Sequence, residues 1–426
     1  MSQTTPQKPY PHARQAYRLG ILNGVLFNIG VAFVDPGTVL PVFIATISKS
    51  DVAVGLVSAI ANGGWSLPQL FGASYIQHQP LKRPMYVFTT CLRIAAWVIV
   101  VPITYFLAGP LPALALAGFI LCYALDAFSG GMAGPAFLDI VAKTVSPTRL
   151  GAFFANRAFW GGVGAIGAGM LVRVILSDRG PSFPANYTLL FALALAMFVP
   201  GWIAFMRIKE PPGKAAEAQS LREFLRGAPD IIRQNREYRL LLIGRMLLGG
   251  MVLAFPFYII YCRRELGVPD SAVGTYLSIQ MAGSVVANPL WALLSDRRGP
   301  RALIIATTVA AVVYSAISFA ATFIPHAPWL GRAAFGVVFF LLAASGTGGW
   351  IGCTNYLLAI APEEQRPIYI GVHNTFFAVT MFLPMLGGAV LRFGSFHLLF
   401  GLATAFAVAG MVVVLKLPAI PPAEPT

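Results

Sequence analysis

The sequence predicts an all-α membrane protein of twelve transmembrane helices, arranged as two six-helix halves related by an internal repeat. Three observations carry that prediction. The 426-residue chain is 57% hydrophobic and only 11% charged, with a mean hydropathy of +0.72, whereas a soluble domain carries roughly a quarter charged residues. Twelve apolar stretches approach the roughly 20 residues that cross a hydrocarbon core about 30 Å thick. Finally, several points in the first half recur in the second at nearly one offset, about 219 residues.

In chain order, a polar, basic segment with Lys8, Arg14 and Arg18 precedes the first span, 19–45. It contains no short apolar region, so no cleavable signal peptide is expected and span 1 should itself act as the insertion signal. Span 1 contains Asn23, Asn28 and the run Phe33-Val34-Asp35-Pro36-Gly37. Span 2, 52–75, opens at Asp51-Val52-Ala53-Val54-Gly55. Arg93 falls near the middle of span 3, 84–107, and Asp126 near the middle of span 4, 111–138. Span 5, 152–176, carries Gly161, Gly162, Gly164, Gly167 and Gly169, a strip that lets helices approach closely. Span 6 is 186–206.

The long charged segment from Arg207 to Tyr238 divides the spans six and six. Its later part, Ser220 to Gln234, is expected to lie as an amphipathic helix on the inner membrane surface, kinked or divided at Pro229. Spans 7 to 12 follow at 239–262, 271–294, 302–324, 333–359, 368–391 and 396–416. The domains expected are a tail at 1–18, a bundle at 19–206, a loop at 207–238, a bundle at 239–416 and a tail at 417–426. Period-two alternation is absent, which argues against an outer-membrane barrel.

The formal net charge of +14 follows from loop orientation and needs no nucleic acid. Lysine and arginine crowd the loops on the side of the two tails, so both termini are expected in the cytoplasm and the protein in the cell membrane. The four cysteines, Cys91, Cys122, Cys262 and Cys353, form no CxxC pair, so no metal site or disulfide framework is expected.

The repeat aligns Asp51 with Asp270, Lys82 with Arg301, Thr89 with Thr308, and Gly169 with Gly388. Asn156 and Asn374, and Tyr17 and Tyr238, match within a residue or two. Between spans 8 and 9 runs Ala292-Leu293-Leu294-Ser295-Asp296-Arg297-Arg298-Gly299-Pro300-Arg301. With the duplication, this loop resembles the signature of the major facilitator superfamily, an acid followed by basic residues around a glycine. Ala292 replaces the first glycine of that motif. In the family the loop is a latch between helices, which implies that role for Asp296, Arg297, Arg298, Gly299 and Arg301. The equivalent first-half loop is degraded, with Gln77 in place of the acid. The resemblance covers the chain from about Arg18 to Lys416 and implies a central cavity, alternating access and a binding site near the membrane midplane.

Ionisable groups inside a membrane each ask for a reason. Asp35, Asp126 and Arg93 stand out, and the resemblance places spans 1 and 4 at the cavity. A carboxylate taken out of water holds its proton to higher pH, so it can exchange a proton against a cation. Arg93 can pair with either acid, and Asp35 can alternatively serve the helix break before Pro36. His373, Asn28 and Asn355 are further candidates, the histidine for titration or an interhelical hydrogen bond. Arg157 and Arg245, near the inner ends of spans 5 and 7, are read as snorkelling. Gln280 is read with the other amides as glue between helices.

These residues favour a secondary transporter that exports hydrophobic or cationic molecules against protons. The alternative is proton-coupled uptake of a sugar or organic anion. An anion importer should present two central cations facing each other across the halves, and Arg93 has none at its repeat position, the apolar Val312. No HExxH, GxSxG or phosphate-cradling lysine loop is present, so no enzyme and no cofactor are expected. The expected partners are a small-molecule substrate, protons and the lipid bilayer, with the protein a monomer.

Overall fold

The computed structural model describes residues 11–69, 72, 75, 79–213, 232–324, 328–362 and 365–420. Lys8, Gln77 and nearly all of the expected amphipathic helix, Ser220 to Gln234, lie outside them. The described residues are helical, without strands. Nine helical segments among the described residues, two of them interrupted, are long and apolar enough to cross a membrane.

The first span is two helices, α1 (Ala13–Ala32) and α2 (Val39–Ser48), and α3 (Asp51–Ser66) opens the second. Then come α4 (Arg83–Leu107), α5 (Pro112–Thr144), α6 (Leu150–Ile175) and α7 (Ala185–Met206). The second half begins with α8 (Arg236–Gly250), a 3-10 turn over Met251–Ala254 and α9 (Phe257–Arg264). It continues with α10 (Ala272–Ala321), α11 (Pro328–Ile360), α12 (Arg366–Thr380), α13 (Leu383–Phe393) and α14 (Phe396–Val414).

Two local features follow directly from sequence. Spans 1 and 7 break at corresponding places, where Pro36 and Pro256 withhold a backbone donor and obstruct the preceding turn. The breaks meet, because a side chain on Gly37 would strike the ring of Phe255. The 50-residue α10 comprises two expected spans, 8 and 9, joined at Gly299. Gly299 has φ 79° and ψ 169°, a region open essentially to glycine alone. Pro300 then starts the second limb, where its missing N–H is harmless.

At the end where α4 and α6 begin, the first half has its own core of Met85, Tyr86, Ile140, Phe153 and Phe205. The second half has a separate one at the same end, with Tyr238, Ile304, Tyr356, Tyr369 and Val414. At the opposite end one core runs through both halves, joining Phe43, Trp97 and Phe191 to Tyr258, Phe339 and Phe400. The halves are therefore welded at the end away from the termini.

Two helix crossings make that weld, α3 on α13 and α6 on α10. Each is a glycine contact. A Cβ on Gly55 would strike the Pro384 carbonyl, and one on Gly388 the Asp51 carbonyl. A Cβ on Gly169 would strike Ser278, and one on Gly274 the backbone of Arg173. Because Gly55 and Gly274, like Gly169 and Gly388, are repeat equivalents, the duplication builds one crossing twice.

Polar contacts reinforce the weld. Arg264 pairs with Asp51 at 2.8 Å across the halves. Arg263 donates to Thr46 Oγ1 at 3.1 Å and pairs with Asp270 at 2.8 Å. Adjacent arginines of α9 thus hold the two repeat-equivalent aspartates. Ser278 Oγ donates to the Ile166 carbonyl at 3.0 Å.

Candidate substrate cavity

Where the halves separate, space opens within and between them. The first half contains a cavity of about 240 Å³ walled by Phe27, Asn62, Trp65, Arg93, Tyr123 and Asp126. A smaller one beside it shares Phe27, Trp65 and Arg93 and adds Asn23, Arg157 and Trp202. The second half contains a cavity of about 380 Å³ whose wall includes Arg245, Gln280, Thr307, Tyr314, Ser345 and Phe377. A fourth, of about 250 Å³, lies between the halves, with Ser66 and Gln69 on one side and Arg245, His373 and Phe377 on the other.

The central charge of the first half is Arg93. Its Nε donates to Asp126 Oδ1 at 2.8 Å, and both side chains are nearly buried, at 7% and 12% exposure. Its guanidinium also lies over Trp202, Trp65 and Phe27, at 4.4, 5.3 and 5.6 Å from the ring centroids. Gly130, one helical turn beyond Asp126, leaves room for this cage, since a Cβ there would strike Trp65 and come 3.1 Å from Arg93 Cζ. Arg93 does not pair with Asp35.

Asp35 serves the break in span 1. Its Oδ1 accepts from the Gly37 N–H and from Thr38 Oγ1, both at 2.9 Å, and so closes the turn into α2. Of the remaining sequence candidates, His373 is buried in the wall of the cavity between the halves. Asn28 donates to the Gly24 carbonyl at 2.7 Å and packs on Gly161. Asn355 is exposed and donates to Ser295 Oγ at 3.4 Å, beside the signature loop. Asp35, Asn28 and Asn355 line none of the four cavities.

In the signature loop, Asp296, Arg297 and Arg298 are exposed. Asp296 makes no ion pair with another described residue. Arg301 Nη2 donates to the Leu415 carbonyl at 3.1 Å, tying the loop to the end of α14. The degraded first-half loop is held differently. Glu210 accepts from the Lys82 and Arg83 backbone N–H groups, at 2.8 and 2.7 Å, and from Lys143 Nζ at 2.8 Å. A carboxylate from beyond α7 thereby caps the start of α4.

Two residues read as snorkelling do otherwise. Arg157 turns into the smaller first-half cavity, donating to Asn23 Oδ1 at 3.1 Å and to the Gly20 carbonyl, with Phe137 beneath it. Arg245 lines two cavities and stacks on Phe377 at 3.7 Å. Neither meets a carboxylate among the described residues. Snorkelling fails because both side chains have internal aromatic platforms that take the guanidinium face. Gln280, read as glue between helices, instead lines the second-half cavity with its Oε1 unpartnered among the described residues. The sequence signal was present in Arg245, a charge more than two turns inside a helix of a membrane protein.

Residues 240–426 match the family model of the Major Facilitator Superfamily. No curated protein matches the chain. Among solved structures, the nucleoside transporter NupG superposes with a TM-score of 0.66 at 12% identity, covering 96% of this chain and 99% of that one. An auto-inhibited POT family peptide transporter gives 0.69 at 14% identity, covering 97% and 99%. A bacterial homologue of the iron transporter ferroportin, in its outward-facing state, gives 0.63 at 15% identity, covering 94% and 98%. At such identities the likeness is one of fold. The expected resemblance holds for the matched segment and for the fold: this is a multi-pass membrane protein with the major facilitator fold. Among the described residues no three His, Cys, Asp or Glu side chains gather as a bound metal would need.

Proposed function

We propose that the protein carries a small anionic metabolite across the membrane by alternating access, coupled to protons. The observation that carries the reading is the charge of the cavity walls. Arg157 in the first half and Arg245 in the second lack carboxylate partners among the described residues, while Asp126 is neutralised by Arg93. A buried guanidinium without a counter-charge is costly, and an anionic solute supplies one. This favours the second of the two substrate classes weighed from sequence. Export of cations would require a free carboxylate at the cavity, and Asp35 lines none of the four.

The separate cores at the terminal end and the joined core at the other suit one limb of an alternating-access cycle. With both termini in the cytoplasm, this limb is the one open inward. We assign proton coupling to Asp126, whose protonation would release Arg93 while the aromatic cage keeps the guanidinium in place.

The test is solid-supported-membrane electrophysiology on proteoliposomes. Transient currents should follow a jump in organic anions and be absent with lipophilic cations. Currents evoked by the cations alone would overturn the anion reading.

A further inference from the structure

We infer that the second half alone holds the primary subsite, and that it takes a polyhydroxylated carboxylate such as a sugar acid. The inference rests on the anion reading above and specifies its ligand.

The 380 Å³ cavity is formed by α8, both limbs of α10, α11 and α12, without a residue from the first half. Its volume is at the low end for small-molecule sites, which fits a compact metabolite. The Arg245 Cζ lies 3.7 Å from the Phe377 ring centroid, an approach that a guanidinium makes by stacking on the ring, which leaves its N–H edge free for a ligand. Its Nε is buried without a hydrogen-bond partner among the described residues. A planar fork of donors fixed in this way matches a carboxylate bidentately.

The rest of the polar wall is unusual in its polarity. Thr307 donates its hydroxyl hydrogen to backbone carbonyls of Leu303 and Ile304, both at 3.0 Å. Thr308 donates to the Ile304 carbonyl at 2.7 Å, Ser345 to Leu342 at 3.1 Å, and Thr347 to Ala344 at 3.1 Å. With their hydrogens turned to the backbone, these hydroxyls offer the cavity only lone pairs. Gln280 adds an amide to the wall, and its Oε1 has no hydrogen-bond partner among the described residues. The wall therefore consists of one cation, a set of acceptors, and three groups that can donate or accept, the Ser284 and Tyr314 hydroxyls and the Gln280 amide. Its complement is a molecule with one anionic head and several O–H donors. A fatty acid would satisfy the arginine and leave the acceptors unmet, and a neutral sugar would do the reverse.

Arg245 and Thr307 flank Gly349. A Cβ there would lie 3.8 Å from Arg245 Nη1 and 3.9 Å from Thr307 Oγ1, which is ordinary contact. Alanine at this position is tolerated, but a branched side chain would occupy the space between head-group and donor sites.

The test is equilibrium binding to the purified full-length protein in detergent, using gluconate and glucuronate, with hexanoate and glucose as partial ligands. Gluconate or glucuronate should bind at least about tenfold more tightly than either partial ligand, because unmet buried polar groups are what discriminate. Arg245→Gln and Gly349→Val should abolish that binding. Gln280→Leu should weaken the sugar acid about tenfold and leave hexanoate unchanged. Unaltered circular dichroism would show that each variant is folded. Equal affinity for gluconate and glucose, binding unchanged in folded Arg245→Gln, or no binding of either sugar acid would overturn the inference. Sugar-acid binding without anion-evoked currents in proteoliposomes would leave the subsite standing and remove the transport reading. Anion currents that do not depend on Arg245 would do the opposite.

Discussion

Arg93 and Asp126 join α4 to α5 through a 2.8 Å ion pair whose cation is enclosed by Trp202, Trp65 and Phe27. Removing one partner of such a buried pair strands the other charge, at a cost of about 3–5 kcal/mol, whereas replacing both with apolar residues is close to neutral. Arg93→Met should therefore lower the melting temperature in detergent more than Asp126→Asn does, because only the latter leaves the cation in its aromatic cage. Arg93→Met with Asp126→Leu should recover most of the loss. A double variant less stable than either single one would rule out a stranded charge as the cause.

Asp35→Asn tests a different role. Asparagine keeps an Oδ1 that can accept from Gly37 and Thr38. The variant should retain both its melting temperature and pH-driven transport. Loss of coupling with an intact fold would return the proton site to Asp35.

The pairing of Arg264 with Asp51 bridges the halves with one side chain 38% and the other 15% exposed, so it is worth about 1 kcal/mol or less. Arg264→Asp should shift the population toward the state opened at this end by about fivefold. The charge swap Arg264→Asp with Asp51→Arg should return it. Spin labels at positions 49 and 265, read by double electron–electron resonance, would report the change as a longer distance component.

The glycine crossings make a stronger version of the same prediction. Gly388→Val drives a side chain into the Asp51 carbonyl, and Gly55→Val drives one into Pro384. Both should abolish the short distance component between the labels. A short component that persists in both would show that the weld does not depend on the α3–α13 approach.

Glu210→Ala leaves the α4 N-terminus without its carboxylate acceptor. Hydrogen bonds to a charged group contribute about 1.5–3 kcal/mol, so the melting temperature should fall clearly. Glu210→Gln should fall as well, because one amide N–H₂ must face a donor. Lys143→Gln removes the ion pairs with Glu210 and Asp139 but leaves the Lys82 and Arg83 N–H groups with their carboxylate, and should have the smaller effect.

The broad fold was legible because lipid imposes it. Span length, loop charge and the duplicated Asp51 and Asp270 segments each report on the membrane or on the repeat, and neither requires knowledge of packing. The repeat even contained the weld, since the aligned glycines are those that cross. What could not be read was which glycine meets which, because that depends on tertiary approach. The site was legible only in part. Arg93 and Asp126 announced themselves as charges at mid-span, and the ion pair is there. Arg245 was visible as a charge inside its span, but the Phe377 platform that holds it inward comes from a helix about 130 residues further on. Asp35 was ambiguous for a different reason, since an acid before Pro36 fits a proton site and a helix cap equally well, and its two hydrogen bonds close the turn into α2.

The most direct test of the central claim is intravesicular pH in proteoliposomes under an imposed proton gradient, as organic anions, cationic drugs and neutral sugars are added in turn. The account predicts proton movement in the same direction as an organic anion, lost in both Arg245→Gln and Asp126→Asn. Proton release driven by a cationic drug and unaffected by Arg245→Gln would contradict it.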